Sequence, residues 1–199
     1  MAFDLEGRTS QDVRDIHGLA DEFDNVRGIM LDDFHMEMQR PGMSPDVMKR
    51  FREKARQGHE DLEVFVVVCD HMLASNVWDY LSYFDSITLW TWESENLDQL
   101  EKTFETCAAK IGDKQILLGL YLYDCGAKQA MPLERMKRQC VFALQQEQAG
   151  NIDGMVFLAS CIGDLDFETV TWTKSWIEDV GAERLDSEND PHGLQGTLP

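Results

Sequence analysis

A chain of 199 residues with 43% hydrophobic composition can bury one sizeable core, and its length is that of one domain. Its 37 acidic against 18 basic side chains give a net charge of −19, which repels phosphate backbones and anionic lipid and argues against nucleic-acid or membrane-surface partners. No apolar run approaches the roughly 20 residues of a membrane span, the N-terminus lacks the basic start and apolar stretch of a secretory signal, and the five cysteines (Cys69, Cys107, Cys125, Cys140, Cys161) are odd in number with no C-x-x-C spacing; the expectation is a cytoplasmic, reducing-compartment protein without a disulfide framework or structural zinc.

Taken in chain order, hydrophobic periodicity alternates between helix and strand. Ser10 is an N-cap for a helix with Val13, Ile16, Leu19 and Phe23 on one face. Arg27–Leu31 reads as a short buried strand running into Asp32-Asp33-Phe34-His35, and Ser44-Pro45 opens the next helix. Glu63–Val68 is the clearest strand, because its β-branched run leaves no solvent face, the pattern of a parallel strand covered on both sides. A short helix over Leu73–Leu81, a strand over Ser86–Trp90 and a helix capped by an Asn96/Gln99 box follow. Gln115–Leu122 is the fourth strand, Pro132 starts a helix that Gly150 ends, Met155–Leu158 is the fifth strand, and a last helix from about Leu165 to Val180 stops at Gly181. Residues 1–181 form one domain on this reading, and 182–199 a polar tail. Five strands, each followed by a helix, mean right-handed βα units and a parallel sheet, either doubly wound and open or part of a (β/α)8 barrel.

In both architectures chemistry sits at the carboxyl ends of the strands. The first strand ends in Asp32, Asp33 and His35, the second in Cys69, Asp70 and His71, and the third in Trp92 and Glu93. The fourth ends in Tyr121, Tyr123 and Asp124, and the fifth in Ser160, Cys161 and Asp164. The strand entrances carry solvating residues such as Arg27, Glu63, Lys114 and Asn151. Any single acid at a strand-to-helix turn has an ordinary role as a cap, and Asp164 fits that role best. Asp32-Asp33 differs: the next helix is expected only at Ser44, and adjacent carboxylates repel unless they face a cation, a proton or a substrate. Trp90 and Trp92 are read as lying on opposite sides of their strand, one in the helix-packing layer and one toward the mouth. Tyr121 and Tyr123 are read as sharing a side, with Asp124 on the other. His17 and His59 are assigned to surface, and Trp172 and Trp176 to packing of the last helix. Zincin, nucleophile-elbow, P-loop and dinucleotide motifs do not occur.

Gly28-Ile-Met-Leu-Asp-Asp-Phe34, Trp90-Thr-Trp-Glu93, Leu118-Gly-Leu-Tyr-Leu-Tyr-Asp124 and Gly154-Met-Val-Phe-Leu158 together resemble the C-terminal half of glycoside-hydrolase-like (β/α)8 barrels, over about residues 10–180. The resemblance implies an incomplete barrel equivalent to strands four to eight. It also implies a carbohydrate substrate, with acids of the catalytic pair at Asp32 or Asp33, Glu93 and Asp124. Glycoside hydrolysis needs one carboxyl to protonate the leaving oxygen and one carboxylate as nucleophile or base. Asp32 or Asp33 is assigned the ionised role, Glu93 the acid role beside the apolar Trp92, and Asp124 serves as substitute for either. Trp92, Tyr121 and Tyr123, with His35, Asp70 and His71, would contact the sugar, without a cofactor. The missing strands leave open sheet edges, which a second copy or a partner chain would cover. Two alternatives stand beside this reading. One is a metal-dependent barrel enzyme acting on a sugar or a small carbonyl or phosphorylated compound, with Asp32, Asp33, His35, Asp70 and His71 as ligands. The other is a non-catalytic barrel fragment.

Overall fold

The computed structural model describes residues 8–159 and 162–189, with side chains described within 9–159 and 162–181. Its strands are β1 (Gly28–Leu31), β2 (Glu63–Cys69), β3 (Ser86–Trp90), β4 (Gln115–Tyr121), β5 (Tyr123–Asp124), β6 (Gln129–Ala130) and β7 (Gly154–Leu158). Its helices are α1 (Arg8–Glu22), α2 (Phe34–Met38), α3 (Pro45–Ala55), α4 (Leu100–Ile111), α5 (Leu133–Gln148) and α6 (Glu168–Asn189). The main sheet runs β1-β2-β3-β4-β7 with every neighbouring pair parallel. This order follows the chain without a reversal. Right-handed crossovers that always step the same way put all the covering helices on one face, whereas a doubly wound sheet must reverse. The sheet therefore curls into a half barrel, an α/β partial barrel with one helix-covered convex face and one concave face. Among the described residues no helix is long and apolar enough to cross a membrane.

Register explains why the central strands carry so little polar sequence. In-register parallel neighbours point to the same side, so Val64, Val66 and Val68 line up with Ile87 and Leu89, and these with Leu118 and Leu120, as the convex layer under the helices. The concave layer is built from Phe65, Val67, Cys69, Thr88, Trp90 and Tyr121. A half barrel has no opposite wall to cover this layer, and its own aromatic rings do the covering. The Trp90 indole lies flat over the neighbouring strand at Gly119, and the Phe65 ring lies over Gly28 in the same way. Trp90 Nε1 donates to the buried Thr88 hydroxyl at 2.8 Å, which holds the ring in this posture.

Several local expectations are corrected. α1 begins at Arg8, so Ser10 lies inside it and its hydroxyl accepts from Arg14 at 2.8 Å instead of capping. Ser44 is the N-cap of α3, its hydroxyl accepting from Val47 N with Pro45 at the first helical position; Ser44→Ala is expected to cost about 1 kcal/mol in urea-denaturation stability. In place of one α-helix over Leu73–Leu81 there are two 3₁₀ segments, Asp70–Met72 and Asn76–Tyr83, because the Ser75 hydroxyl accepts from Val77 N and restarts the chain. The last helix starts at Glu168 and runs through Gly181 to Asn189, while residues 190–199 lie outside the described residues.

The strand entrances are more than solvating. Asp85 accepts from Val64 N at 2.8 Å and pairs with Arg52 of α3 and with Arg56 just past its end, Ser86 links Glu63 to Gln115, and Lys114 donates to Phe84 O at 2.7 Å. His17 and His59 also meet, their rings stacked 4.2 Å apart, with His17 Nε2 2.7 Å from Ala55 O.

Candidate active site at the strand ends

Asp32 and Asp33 follow β1 directly. A helix does follow at once, contrary to the sequence expectation: α2 starts at Phe34, whose buried ring packs edge-on against Tyr80 and Phe84. Burying Phe34 one residue after the strand turn forces Asp33 into the left-handed region (φ 53°), and Asp32 Oδ1 accepts from Asp33 N at 2.9 Å to hold that turn. Asp33 occupies the N-cap position of α2 yet makes no side-chain cap bond there, and both carboxylates are exposed. A non-glycine residue held at positive φ costs on the order of 1 kcal/mol, the kind of local strain that clusters at functional sites.

At the end of β2, Asp70 serves the scaffold. Its Oδ1 accepts from Trp92 N at 3.2 Å and its Oδ2 from Asn96 Nδ2 at 2.7 Å, so it fixes the path of the chain leaving β3. Asn96 is therefore a tether and not half of a capping box. His71 lies with Nδ1 3.6 Å from Asp70 Oδ1, and its ring meets His35 edge-on at 5.8 Å. The Cys69 thiol is pushed up to about 12 by burial, then by the negative charges of Asp70, Asp32 and Asp33. That keeps it protonated and removes it as a nucleophile. Tyr121 is raised by burial and by the same neighbourhood of Cys69, Cys125, Asp32 and Asp33. The ends of β1, β2 and β4 thus lie within electrostatic reach of one another.

Trp90 and Trp92 do not take opposite sides. Trp92 lies two residues past the end of β3, and both indoles meet Tyr121, Trp90 at 4.6 Å and Trp92 edge-on at 6.1 Å. Trp92 remains 40% exposed and forms the open end of an aromatic shelf whose buried end is Tyr121. Glu93 is exposed, with its stem against Gly126. Tyr123 is half-buried.

Asp124 is only 2% exposed and sits in a small hairpin, β5 with β6, that the sequence did not announce. Its Oδ1 accepts from Ala127 N at 2.9 Å and its Oδ2 from Ser94 N at 3.3 Å. Burial pushes its carboxyl up, but these bonds and one from Gly126 outweigh it and hold the group below the ordinary value, hence ionised. Asp124 pins the hairpin to the exit of β3, and Arg135 of α5 donates to Ser94 O on the same loop. Sequence reasoning missed Ser94, Gly126 and Arg135 and gave Asn96 a capping role; Ser94 and Gly126 had only proximity to strand ends as a signal, and Arg135, on α5, had none.

Among the described residues no group of three or more His, Cys, Asp or Glu side chains is arranged to hold a metal ion. Of the residues named for the metal-dependent alternative, Asp70 accepts from Trp92 N and Asn96 Nδ2 and so also serves the scaffold. Asp164 lies in a turn before α6, not at its cap, and Ser160 and Cys161 lie outside the described residues.

No protein-family model matches the sequence, and no curated protein matches it. Among solved structures the chain is similar to the PgaB (BpsB) glycoside hydrolase domain from Bordetella bronchiseptica, at 15% sequence identity and a TM-score of 0.47. The match covers 68% of this chain and 40% of that one, so the chain spans less than half the length of that domain. A likeness at this level assigns no activity, and the functional reading rests on the strand ends themselves.

Proposed function

We propose a glycoside-hydrolase-type function, in which a saccharide lies across the strand ends and a glycosidic bond is cleaved between carboxyl groups of Asp33 or Asp32 and Glu93. The observation that supports it most directly is the exposed Trp92 standing edge-on to Tyr121 at 6.1 Å, next to a patch charged by Asp32 and Asp33. An indole face stacks on the apolar face of a pyranose, while free carboxylates accept from its hydroxyls and act on the bond. Asp33 is available for this work because its side chain makes no cap bond to the helix that follows it. Asp32 supports it through the bond to its amide and can share the ionised role. Glu93 takes the acid role by elimination, since Asp70 and Asp124 are bound into the scaffold and Asp124 is held ionised.

Asp33→Asn and Glu93→Gln, assayed on a panel of aryl glycosides, are expected to lower turnover at least about a hundredfold each, in the range that loss of a general acid or base produces. Trp92→Ala should raise KM with a smaller change in kcat. Unchanged turnover in both carboxyl variants sinks the hydrolytic reading. A non-catalytic saccharide-binding fold is the second reading, favoured by the exposure of Asp32, Asp33 and Glu93, which leaves water in contact with all three. Its signature is saccharide binding that Trp92→Ala weakens, with no turnover by the parent chain.

A further inference from the structure

Glu93 is exposed, and an exposed glutamate stem exchanges rotamers freely unless something beside it narrows the choice. A proton donor that wanders loses rate, because proton transfer needs the carboxyl within hydrogen-bond reach of the leaving oxygen. The structure puts a surface beside this stem. A Cβ at Gly126 would stand 2.5 Å from Glu93 Cγ, 3.3 Å from Cδ and 3.4 Å from Cβ, so three successive carbons of the stem lie along the bare backbone of Gly126. Gly126 belongs to the turn between β5 and β6, whose left-handed residue is Lys128 (φ 56°). The backbone at Gly126 is not left-handed, so the turn itself does not call for glycine there. The turn is also tied to the strand that carries Glu93. Asp124 accepts from Ala127 N, one residue past Gly126, and from Ser94 N, one residue past Glu93, while Met131 N donates to Leu122 O at the hairpin base.

We infer that Gly126 is a positioning residue, whose missing side chain leaves a seat for the Glu93 stem and thereby fixes where its carboxyl stands. This rests on the reading of Glu93 as the proton donor in glycoside cleavage. Gly126 acts only through Glu93. A methyl group at position 126 costs the fold little, since what it meets is an exposed, flexible chain that can swing to another rotamer. The same swing carries the carboxyl away, and a misplacement of about 1 Å can cost on the order of a hundredfold in rate. The fold and the chemistry therefore respond differently to one methyl.

The test compares the parent chain with Gly126→Ala, Glu93→Gln and the double variant, by thermal melting and by steady-state kinetics on a phenyl and a dinitrophenyl glycoside of the same sugar. Gly126→Ala is expected to melt with the parent and to lower kcat on the phenyl glycoside at least about tenfold with KM unchanged. The deficit should shrink on the dinitrophenyl glycoside, whose leaving group departs without a proton, as it should for Glu93→Gln. In the Glu93→Gln background the added alanine should cost nothing further, since the group it misplaces is already gone. The inference alone is overturned, with the hydrolytic reading left standing, by any of three results in a series where Glu93→Gln does lose turnover. These are an unchanged kcat in Gly126→Ala, a deficit equal on both glycosides, or a variant that melts well below the parent and so needs its glycine for folding. If Glu93→Gln turns over like the parent, or the parent turns over neither glycoside, the assignment of Glu93 falls and the role of Gly126 falls with it.

Discussion

Gly119→Val is expected to lower unfolding stability by about 4 kcal/mol or more, enough to leave a typical domain largely unfolded. A Cβ at position 119 would stand 2.0 Å from the Trp90 indole, with two further ring atoms at 2.3 Å. The ring cannot retreat easily. It is 4% exposed, bonded through Nε1 to Thr88, and packed against Tyr121 at 4.6 Å. Position 119 itself cannot shift, because β4 is bonded on both sides, to β3 and to β7. Overpacking a rigid core by one methyl costs about 1–3 kcal/mol, and here the contact is with a fixed ring instead of a flexible chain end. Two controls separate this cause from a general intolerance of side chains in strands. Gly154→Ala, whose nearest contact would be the end of Leu117 at 3.4 Å, should be close to neutral. Trp90→Leu combined with Gly119→Val should be more stable than the sum of the single losses, a coupling of the sign expected for groups that collide. Urea denaturation of the four variants measures all of this, and additivity within error would show that the Trp90–Gly119 contact is not what limits position 119.

The same contact shows what sequence patterning carries and what it does not. The strands β2, β3 and β4 were legible because strands buried on both faces must be apolar throughout; their alternation with helices implied a parallel sheet, either doubly wound or barrel-like, and the strand order without a reversal decides for the half barrel. The concave face was not legible. Nothing in Trp90 or Gly119 alone says that one lies over the other, because the match joins two strands about thirty residues apart in the chain. Asp32, Asp33, Asp70 and Glu93 do stand just past the strand ends, yet their surroundings are set by partners distant in sequence. Asp70 spends its oxygens on Trp92 and Asn96, so an asparagine that looked like a helix cap is a tether. The β5–β6 hairpin has two residues in each strand, too short for any periodicity, and it captured Asp124 as a buried bracket. Asp33 was singled out for lacking a helix to cap. A helix follows it after all, but Asp33 makes no side-chain cap bond to it.

Asp124→Asn is expected to cost about 2–4 kcal/mol of stability while leaving the chemistry of the folded protein intact. The carboxylate accepts from Ala127 N on one oxygen and from Ser94 N on the other, and an amide would put an NH2 against one of these donors, leaving a buried N–H unmatched. The sign of the pH dependence follows from the depressed carboxyl. A group whose proton affinity is lower in the folded state than the ordinary 3.8 stabilises the fold fully above that value and loses the contribution as pH falls through the lower, folded value. The difference in unfolding free energy between parent and variant should therefore be flat from neutral pH down to about pH 5 and shrink below about pH 4, as the parent protonates and the asparagine does not. Denaturation curves at a series of pH values read this directly. The same variant tests the division of labour among the acids, because a bracket and a proton donor fail differently. If Asp124→Asn is as stable as the parent but loses turnover as Asp33→Asn does, then Asp124 belongs to the reacting groups and the assignment of Glu93 to the acid role falls with it. If it is destabilised and retains the parent kcat wherever it is folded, the hairpin bracket is scaffold, and the reacting carboxyls are those that the fold leaves exposed beside Trp92.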